Sequence, residues 1–301
     1  MADNIPHPIP YQGSKRNLAA DICPLFPPNI NTLYEPFAGS AAVTLYAARR
    51  NLAKHFVIGD SLPQLVELWR QIVAAPDIVA DEYESVWNGQ TNGDSTYFNG
   101  VRERFNQHGN PVDLLYLITR CVKNAVRFNR HGKFTQSADK RRLGMRPAKM
   151  RTAVTGASKL LKGRTEFFCG DFTDTIATAT KQDLVYMDPP YQGTTYGRDK
   201  RYFAQLEREH LIDALGVLNS HSVPFLLSYD GMCGVVVYGE VLPEHLETER
   251  LLLNAGRSSQ ATLNGHDCVT VESLYVSKYL PIVKVAAKTR RERQDDLFAA
   301  A

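Results

Sequence analysis

The four residues Asp188-Pro189-Pro190-Tyr191 constrain the fold of this chain more than any other stretch. The mostly apolar residues 183–187 just before them predict a short buried strand. Two prolines then end that strand, because proline cannot donate to a strand ladder and fixes its own φ. We therefore expect an acid and an aromatic ring just past the carboxyl end of a strand, where open α/β sheets bind their ligands.

An acid and an aromatic ring held rigidly at a strand end suit the binding of a planar amino group. The Asp188 carboxylate and the Pro189 carbonyl oxygen can accept the two hydrogens of such a group, and the Tyr191 ring can stack on the base that carries it. The plain alternative is a strand that leaves the sheet through a loop, with Asp188 as a capping residue.

The cysteines and the hydropathy of the chain limit its class and compartment. The five cysteines are scattered and form no Cys-x-x-Cys pair, which argues against a disulfide framework or a zinc site and for a reducing cytoplasm. No apolar run reaches about 18 residues, and the N-terminus lacks the pattern of a signal peptide, so no membrane partner is expected. The 301 residues, 44% of them hydrophobic, suffice for one large or two modest domains.

Positive charge is concentrated in one segment of a nearly neutral chain. Residues 120–164 hold 14 lysines and arginines and a single acid, Asp139, whereas the whole chain has a net charge of +3. Such a concentration predicts a polyanionic partner, most simply nucleic acid. A solvated helical face is the alternative, but so many unbalanced charges would repel one another without a partner.

Two strand ends near the N-terminus predict a nucleotide-binding unit. A strand at 32–35, a glycine turn at 36–40 and a helix at 41–50 follow one another, which is how nucleotide-binding α/β folds open. Asp60 ends the next strand, 21 residues beyond Gly39, a spacing at which an acid binds ribose hydroxyls. Its alternative role is to cap the helix that follows.

Strand signals nearly vanish over residues 62–164, which we interpret as an insertion between strands of the sheet. Helices are expected at residues 62–74, 112–128 and 151–161. The basic loop before the last helix interleaves Asn129 with Phe128 and Phe134. It therefore combines what reading DNA requires, namely phosphate clamps, an amide for base edges, and rings for stacking.

After the insertion the chain returns to alternating strands and helices. A strand at 165–172 carries Asp171 and Phe172 at its end, and a helix at 206–218 and a strand at 223–229 follow. Successive strand ends thus carry the glycine turn, Asp60, Asp171 with Phe172, and Asp188.

In this order the motifs resemble those of the Dam-type adenine-specific DNA methyltransferases, over residues 11 to about 279. The resemblance implies an α/β fold, a Rossmann-like class I methyltransferase sheet with an inserted, mainly helical target-recognition domain. It divides the chain into catalytic segments at 1–61 and 165–285, a recognition domain at 62–164 and a flexible tail at 286–301.

The same resemblance implies S-adenosylmethionine as the cofactor. The implied cofactor-binding residues are Tyr11, Lys15, Pro36, Phe37, Ala38, Gly39, Asp60, Asp171, Phe172 and Asp188. Tyr11 and Lys15 would hold the methionine end, with Lys15 on its carboxylate. Asp60 would bind the ribose, and Asp171 and Phe172 would meet the adenine ring of the cofactor.

The resemblance also assigns catalysis and DNA contacts. The implied catalytic residues are Asp188, Pro189, Pro190 and Tyr191, and the implied DNA-binding residues are Arg127, Asn129, Arg130, Lys133, Arg141 and Arg142. The stretch 127–134 looks like the family's target-recognition hairpin. The implied activity is methyl transfer to the 6-amino group of an adenine that is flipped out of double-stranded DNA. The resemblance implies no metal, and it implies the kind of methylation that occurs in restriction-modification.

Three other functions remain open at this point. They are methylation of the cytosine 4-amino group, methylation of RNA, and DNA binding by a methyltransferase fold that has lost catalysis. The chain also departs from the family at two places. Ser14 stands where many members have a second glycine, and residues 135–137 read Thr-Gln-Ser where members that read GATC have Asn-Val-Pro.

The C-terminal tail contains a short motif of its own. Residues 294–298 are Gln294, Asp295, Asp296, Leu297 and Phe298. They resemble the motif by which bacterial replication and repair proteins bind the DNA sliding clamp, which implies a bacterial, phage or mobile-element origin. The alternative is a tail helix that docks Leu297 and Phe298 on its own domain.

Overall fold

The computed structural model describes residues 4–90, 95–190, 206–233, 236–257 and 269–280. Its strands are β1 Ile30–Glu35, β2 Ala53–Asp60, β3 Thr165–Cys169, β4 Leu184–Met187, β5 Phe225–Cys233, β6 Val236–Tyr238, β7 Thr248–Arg257 and β8 Val269–Ser277. Its α-helices are α1 Ala19–Ile22, α2 Ala42–Arg50, α3 Pro63–Ala74, α4 Pro76–Asn88, α5 Ser95–His108, α6 Pro111–Arg120, α7 Pro147–Leu161, α8 Phe172–Ile176 and α9 Arg208–Ser220.

The strands form one mixed sheet of the Rossmann-like methyltransferase type, as the sequence predicted. The order across the sheet is β3-β2-β1-β4-β5-β8-β7, and β6 pairs with β5. The first five strands of that order are parallel, and β8 runs antiparallel to both β5 and β7. The carboxyl ends of the parallel strands therefore meet at one edge, and the amino-terminal half of β8 reaches the same edge.

Two hydrophobic cores lie on the two faces of the sheet. In β4, Leu184 and Tyr186 belong to one core, whereas Val185 and Met187 belong to the other. Successive side chains of a strand point to opposite faces, so β4 is covered on both. An uninterrupted apolar strand is what a central parallel strand requires, because neither of its faces meets water.

The inserted residues fold as helices that pack onto the sheet. Helices α3 to α7 all lie in the chain between β2 and β3, and α3 and α7 contact each other. The Ser158 hydroxyl on α7 donates to the Val73 carbonyl on α3 at 2.7 Å. The helices α4 and α5 were not predicted, although each buries one face, through Val79 and Tyr83 on α4 and Phe98 on α5.

Two predicted boundaries were wrong, for local reasons. The helix predicted at 112–128 ends at Arg120, because Lys123 and Asn124 have positive φ and the Asn124 amide donates to the Ile118 carbonyl at 2.8 Å. The strand predicted at 165–172 ends at Cys169. No helix in the described ranges is long and apolar enough to cross a membrane.

Candidate active site

A cleft opens at the edge of the sheet where β1, β2 and β4 end. The acids at these three strand ends are Glu35, Asp60 and Asp188, and all three line the cleft. The other predicted site residues that line it are Tyr11, Lys15, Pro36, Phe37, Ala38, Gly39, Asp171, Phe172, Pro189 and Pro190. The structure thus brings the predicted cofactor and catalytic residues together, except Tyr191, which lies outside the described residues.

The glycine turn after β1 is held from three sides. Gly39 has φ +48, and a Cβ there would lie 3.4 Å from the Tyr11 ring, so that the turn favours glycine. The Gly39 N–H donates to the Asp60 carboxylate at 3.1 Å, and the Gly39 carbonyl accepts from the buried Trp69 indole at 3.0 Å. Trp69 was missed by the sequence analysis, because an indole on an apolar helix face carries no sign of this contact.

Asp60 accepts hydrogen bonds from the backbone and still lines the cleft. Its second carboxylate oxygen accepts from the Leu62 N–H at 3.0 Å, next to the start of α3. Burial raises the pKa of Asp60, and the backbone N–H groups oppose that shift. An ionised carboxylate has about four acceptor sites, so two backbone bonds leave room for ribose hydroxyls. The two roles foreseen for this residue are therefore compatible.

A flat aromatic surface lies beside the glycine turn. The rings of Phe37 and Phe172 are stacked with centroids 5.0 Å apart, and His210 on α9 lies 5.0 Å from Phe172. Asp171 caps α8 by accepting from the Thr173 N–H at 2.9 Å. His210 was not anticipated, because nothing distinguishes it from a surface histidine until α9 is placed over the strand ends.

Asp188 is paired with Lys15 at the floor of the cleft. The Lys15 ammonium lies 2.7 Å from the Asp188 carboxylate and 3.4 Å from Glu272 on β8, and it also donates to the Gly13 carbonyl at 3.2 Å. Burial raises the pKa of Asp188 to about 6, with Lys15 opposing the shift and Glu272 adding to it. Lys15 was assigned to the cofactor carboxylate; that role stays a prediction, and the structure shows Lys15 in contact with Asp188.

Glu35 is a second buried acid near Asp188. Its carboxylate accepts from the Thr44 N–H at 2.9 Å and so caps α2, whose own N-cap residue, Ala41, offers no side-chain acceptor. Burial raises the pKa of Glu35 to about 7, and the nearby Asp188 adds to that shift. Glu35 ends a strand just as Asp60 does, and that signal could have identified it.

Ser14 lies in the turn before Lys15, where its N–H donates to the Tyr11 carbonyl at 3.1 Å. Its hydroxyl accepts a hydrogen bond from the Ser40 hydroxyl at 2.7 Å. The contact ties the loop that carries Lys15 to the glycine turn after β1. No group of three or more potential metal-ligating side chains occurs in the part of the chain that the structure describes.

The predicted recognition hairpin is present, with its rings turned inward. Phe128 and Phe134 form an antiparallel bridge, and the Asn129 side-chain oxygen accepts from the N–H groups of His131 and Lys133. Both phenylalanines are buried and pack edge-to-face, at 5.7 Å, in a cluster with Phe105. The expectation that these rings stack on bases was wrong, whereas Asn129, Arg130 and Lys133 are exposed at the turn.

The basic segment is partly neutralised within the protein. The Arg142 guanidinium pairs with the buried Asp139 at 2.9 Å, and Arg151 pairs with Asp81 at 2.6 Å on α4. The Arg141 guanidinium also lies within 3.6 Å of the Asp139 carboxylate, but its side chain is 75% exposed. The charge that faces solvent is therefore smaller than the composition of residues 120–164 suggests.

Comparison with known proteins supports the interpretation of the cleft. The chain is 28% identical over 235 residues to the modification methylase StsI of Streptococcus sanguinis, with 74% of this chain and 35% of that protein covered. It is 28% identical over 238 residues to the type II methyltransferase M.FokI of Planomicrobium okeanokoites, with 74% and 35% covered. The chain thus spans 35% of the length of these two relatives.

A third relative matches over most of its length. The retron Ec67 DNA adenine methylase of Escherichia coli is 26% identical over 238 residues, with 76% of this chain and 80% of that protein covered. The family model of the D12 class N6 adenine-specific DNA methyltransferases matches residues 11–263, which include the glycine turn, the inserted helices and Asp188. The cleft, the order of the motifs and this match agree, and the chain belongs to the D12 class N6 adenine-specific DNA methyltransferase family.

Proposed function

We propose that this chain transfers a methyl group from S-adenosylmethionine to the 6-amino group of adenine at specific sites in double-stranded DNA. The observation that carries the proposal is the position of Asp188 and Pro189, at the end of β4 and in the same cleft as the glycine turn. A hydrogen-bond acceptor for an amino group and a pocket for a nucleotide-like cofactor therefore adjoin.

The residues of the cleft fit S-adenosylmethionine. The stacked Phe37 and Phe172 offer a flat surface for an adenine ring, and Asp60 retains acceptor sites for ribose hydroxyls. The acids Glu35 and Asp188 line the same cleft and suit a ligand that carries a sulfonium charge. When bound, this cofactor supplies a methyl group already activated by its sulfonium.

The task of Asp188 and Pro189 is to hold and polarise the target amino group. The amino nitrogen of adenine is a weak nucleophile, because its lone pair is delocalised into the ring. Hydrogen bonds from its two protons to the Asp188 carboxylate and the Pro189 carbonyl would localise that lone pair on nitrogen. The ionised Asp188 would also stabilise the positive charge that develops on nitrogen during transfer.

The target base must leave the duplex before it reaches Asp188, because its amino group is otherwise paired. Exposed cations of the inserted domain, such as Arg130 and Arg141, would hold the DNA backbone or base edges while the base is flipped. Base edges would be contacted by the polar side chains of the hairpin turn at Asn129. These side chains are exposed, whereas the adjacent phenylalanines are buried and cannot reach the DNA.

The test is transfer of labelled methyl groups to DNA and RNA, followed by digestion to nucleosides. We expect label in N6-methyl-2′-deoxyadenosine from double-stranded DNA. Label in cytosine or in RNA would establish one of the alternative substrates, and calorimetry that shows no binding of S-adenosylmethionine would favour an inactive DNA-binding protein. Mapping modified adenines in DNA from cells that express the chain would give the recognition sequence.

We further propose that the tail binds a bacterial sliding clamp through Gln294, Leu297 and Phe298, which lie outside the described residues. Leu297 and Phe298 would fill an apolar pocket while Gln294 bonds at its rim, on a segment too polar to pack by itself. Calorimetry of the full chain against a clamp should show binding at or below about 10–100 µM. Equal binding by a Leu297→Ala, Phe298→Ala variant, or none by the wild type, would refute the proposal.

A further inference from the structure

Strand β8 carries an acid, Glu272, near the edge of the sheet where the parallel strands end. Glu272 lies in the amino-terminal half of β8 and pairs in register with Gly231 of β5 and Leu253 of β7. A Cβ at Gly231 would lie 2.6 Å from the Val271 carbonyl oxygen, so that β8 can approach this closely only opposite a glycine. The antiparallel direction of β8 and this close approach bring Glu272 within 3.4 Å of Lys15, which lines the cleft.

Glu272, Lys15 and Asp188 form one charged group. Lys15 lies between the two acids, 2.7 Å from Asp188 and 3.4 Å from Glu272, and its side chain is 5% exposed. The two acids are 20% and 17% exposed, respectively. Three segments distant in the sequence therefore converge on one ammonium group.

We propose that Glu272 is a positioning residue for methyl transfer: it anchors the Lys15 ammonium so that Lys15 stays against Asp188. A lysine side chain has four flexible methylene groups, and holding its end in one place costs conformational entropy. A second carboxylate on the far side of the ammonium restricts that freedom. Glu272 acts through Lys15 and serves the proposed methyl transfer, on which its role rests.

The anchoring matters because an ionised Asp188 accepts a stronger hydrogen bond from the target amino group than a protonated one, and only the ionised form stabilises positive charge on the nitrogen. Within the described part of the chain, the charged or titratable groups that act on Asp188 or are affected by it are Lys15, Glu272, Glu35 and Tyr186. Lys15 lowers the pKa of Asp188, whereas burial and Glu272 raise it. Glu272 therefore has two opposite effects, a direct repulsion and an indirect stabilisation through Lys15.

These two effects predict opposite results when Glu272 is replaced. If Glu272 were only a neighbouring negative charge, its removal would lower the pKa of Asp188. If it anchors Lys15, the loss of the anchor lets the ammonium move away, and the pKa of Asp188 rises. Glu272→Met removes both the charge and the acceptor at similar length, whereas Glu272→Gln removes the charge and keeps an acceptor oxygen for Lys15.

The experiment is a carbon-13 NMR titration of the full chain with labelled aspartate carboxyls, in which Asp188 is assigned by the signal lost in Asp188→Asn. Lys15→Met should raise the pKa of Asp188 by about 1–3 units. Glu272→Met should raise it by part of that amount, and Glu272→Gln should lower it. In the Lys15→Met background, Glu272→Met should lower it, because no ammonium is left to anchor.

A lower pKa in Glu272→Met, or the same rise with and without Lys15, would overturn the proposal. Should Glu272→Met fail to fold, Glu272→Ala gives the same readout without new bulk. The acid limb of the pH profile of kcat should move with the NMR value. Because the titration needs no turnover, an absence of methyl transfer would refute the proposed function and still leave the test of Glu272 valid.

Discussion

At the scale of single residues, the proposed methyl transfer depends most on Asp188. Asp188→Ala should reduce methyl transfer by about 10²–10³-fold or more, because no other side chain described in the cleft replaces its carboxylate against the target amino group. Cofactor binding, measured by calorimetry, should stay largely intact, since Phe172 and Asp60 remain. Asp188→Asn is the isosteric control and should be similarly impaired. Normal turnover in either variant would contradict the catalytic assignment.

Glu35 should make stability fall as pH rises. Between its ordinary pKa of about 4.3 and its folded value of about 7, the folded chain keeps a proton that the unfolded chain releases. Folding is therefore penalised above this window, and Glu35→Gln should escape the penalty. Between pH 4 and pH 8 the free energy of unfolding of the wild type should fall by about 3 kcal/mol relative to that of Glu35→Gln.

Urea unfolding of both proteins at several pH values measures that difference. Glu67→Gln, which changes an acid on α3 that is 42% exposed, is the matched control and should show little pH-dependent difference. A constant difference between wild type and Glu35→Gln across this range would show that folding does not raise the pKa of Glu35.

At the scale of elements, the hairpin around Asn129 should set the sequence preference. Arg130 is exposed at its turn, and loss of a bidentate base contact costs about 1–3 kcal/mol at one base pair. Arg130→Ala should therefore change which sequences are methylated, measured as relative kcat/KM on a panel of duplexes. Asn129→Ala should also loosen the turn, because its oxygen accepts two backbone N–H groups. An unchanged preference in both variants would exclude the hairpin from base reading.

The elements also show where local sequence signals fail. The helix predicted at 112–128 ends at Arg120. Just beyond it, Lys123 and Asn124 adopt positive φ, which no pattern of apolar residues predicts. The rings of Phe128 and Phe134 appear suited to stacking in a basic loop, but they complete a core with Phe105 on α5. Helix α5 was not predicted, so its need for apolar partners could not be anticipated.

At the scale of the whole molecule, the distribution of charge should govern DNA affinity. Each phosphate contact contributes about −0.9 to the slope of log affinity against log salt. Arg141→Ala should flatten that slope with little loss of stability, because its side chain is 75% exposed and its 3.6 Å contact with Asp139 is longer than the 2.9 Å contact of Arg142. Arg142→Ala should flatten it and also destabilise the protein, because Asp139, 5% exposed, loses a partner. An unchanged slope in both variants would mean that neither side chain contacts a DNA phosphate.

Local patterns in the sequence were enough to predict a Rossmann-like sheet and the strand ends that form the cleft. Apolar runs ended by Glu35, Asp60 and Asp188 are local signals, and parallel strands necessarily bring their carboxyl ends to one edge. Which charged side chains pair with one another at the cleft depends on the tertiary fold. Lys15 and Glu272 are 257 residues apart in the sequence, and their meeting depends on the direction of β8 and on the space left by Gly231. Such contacts arise from packing between distant segments, which local patterns do not encode.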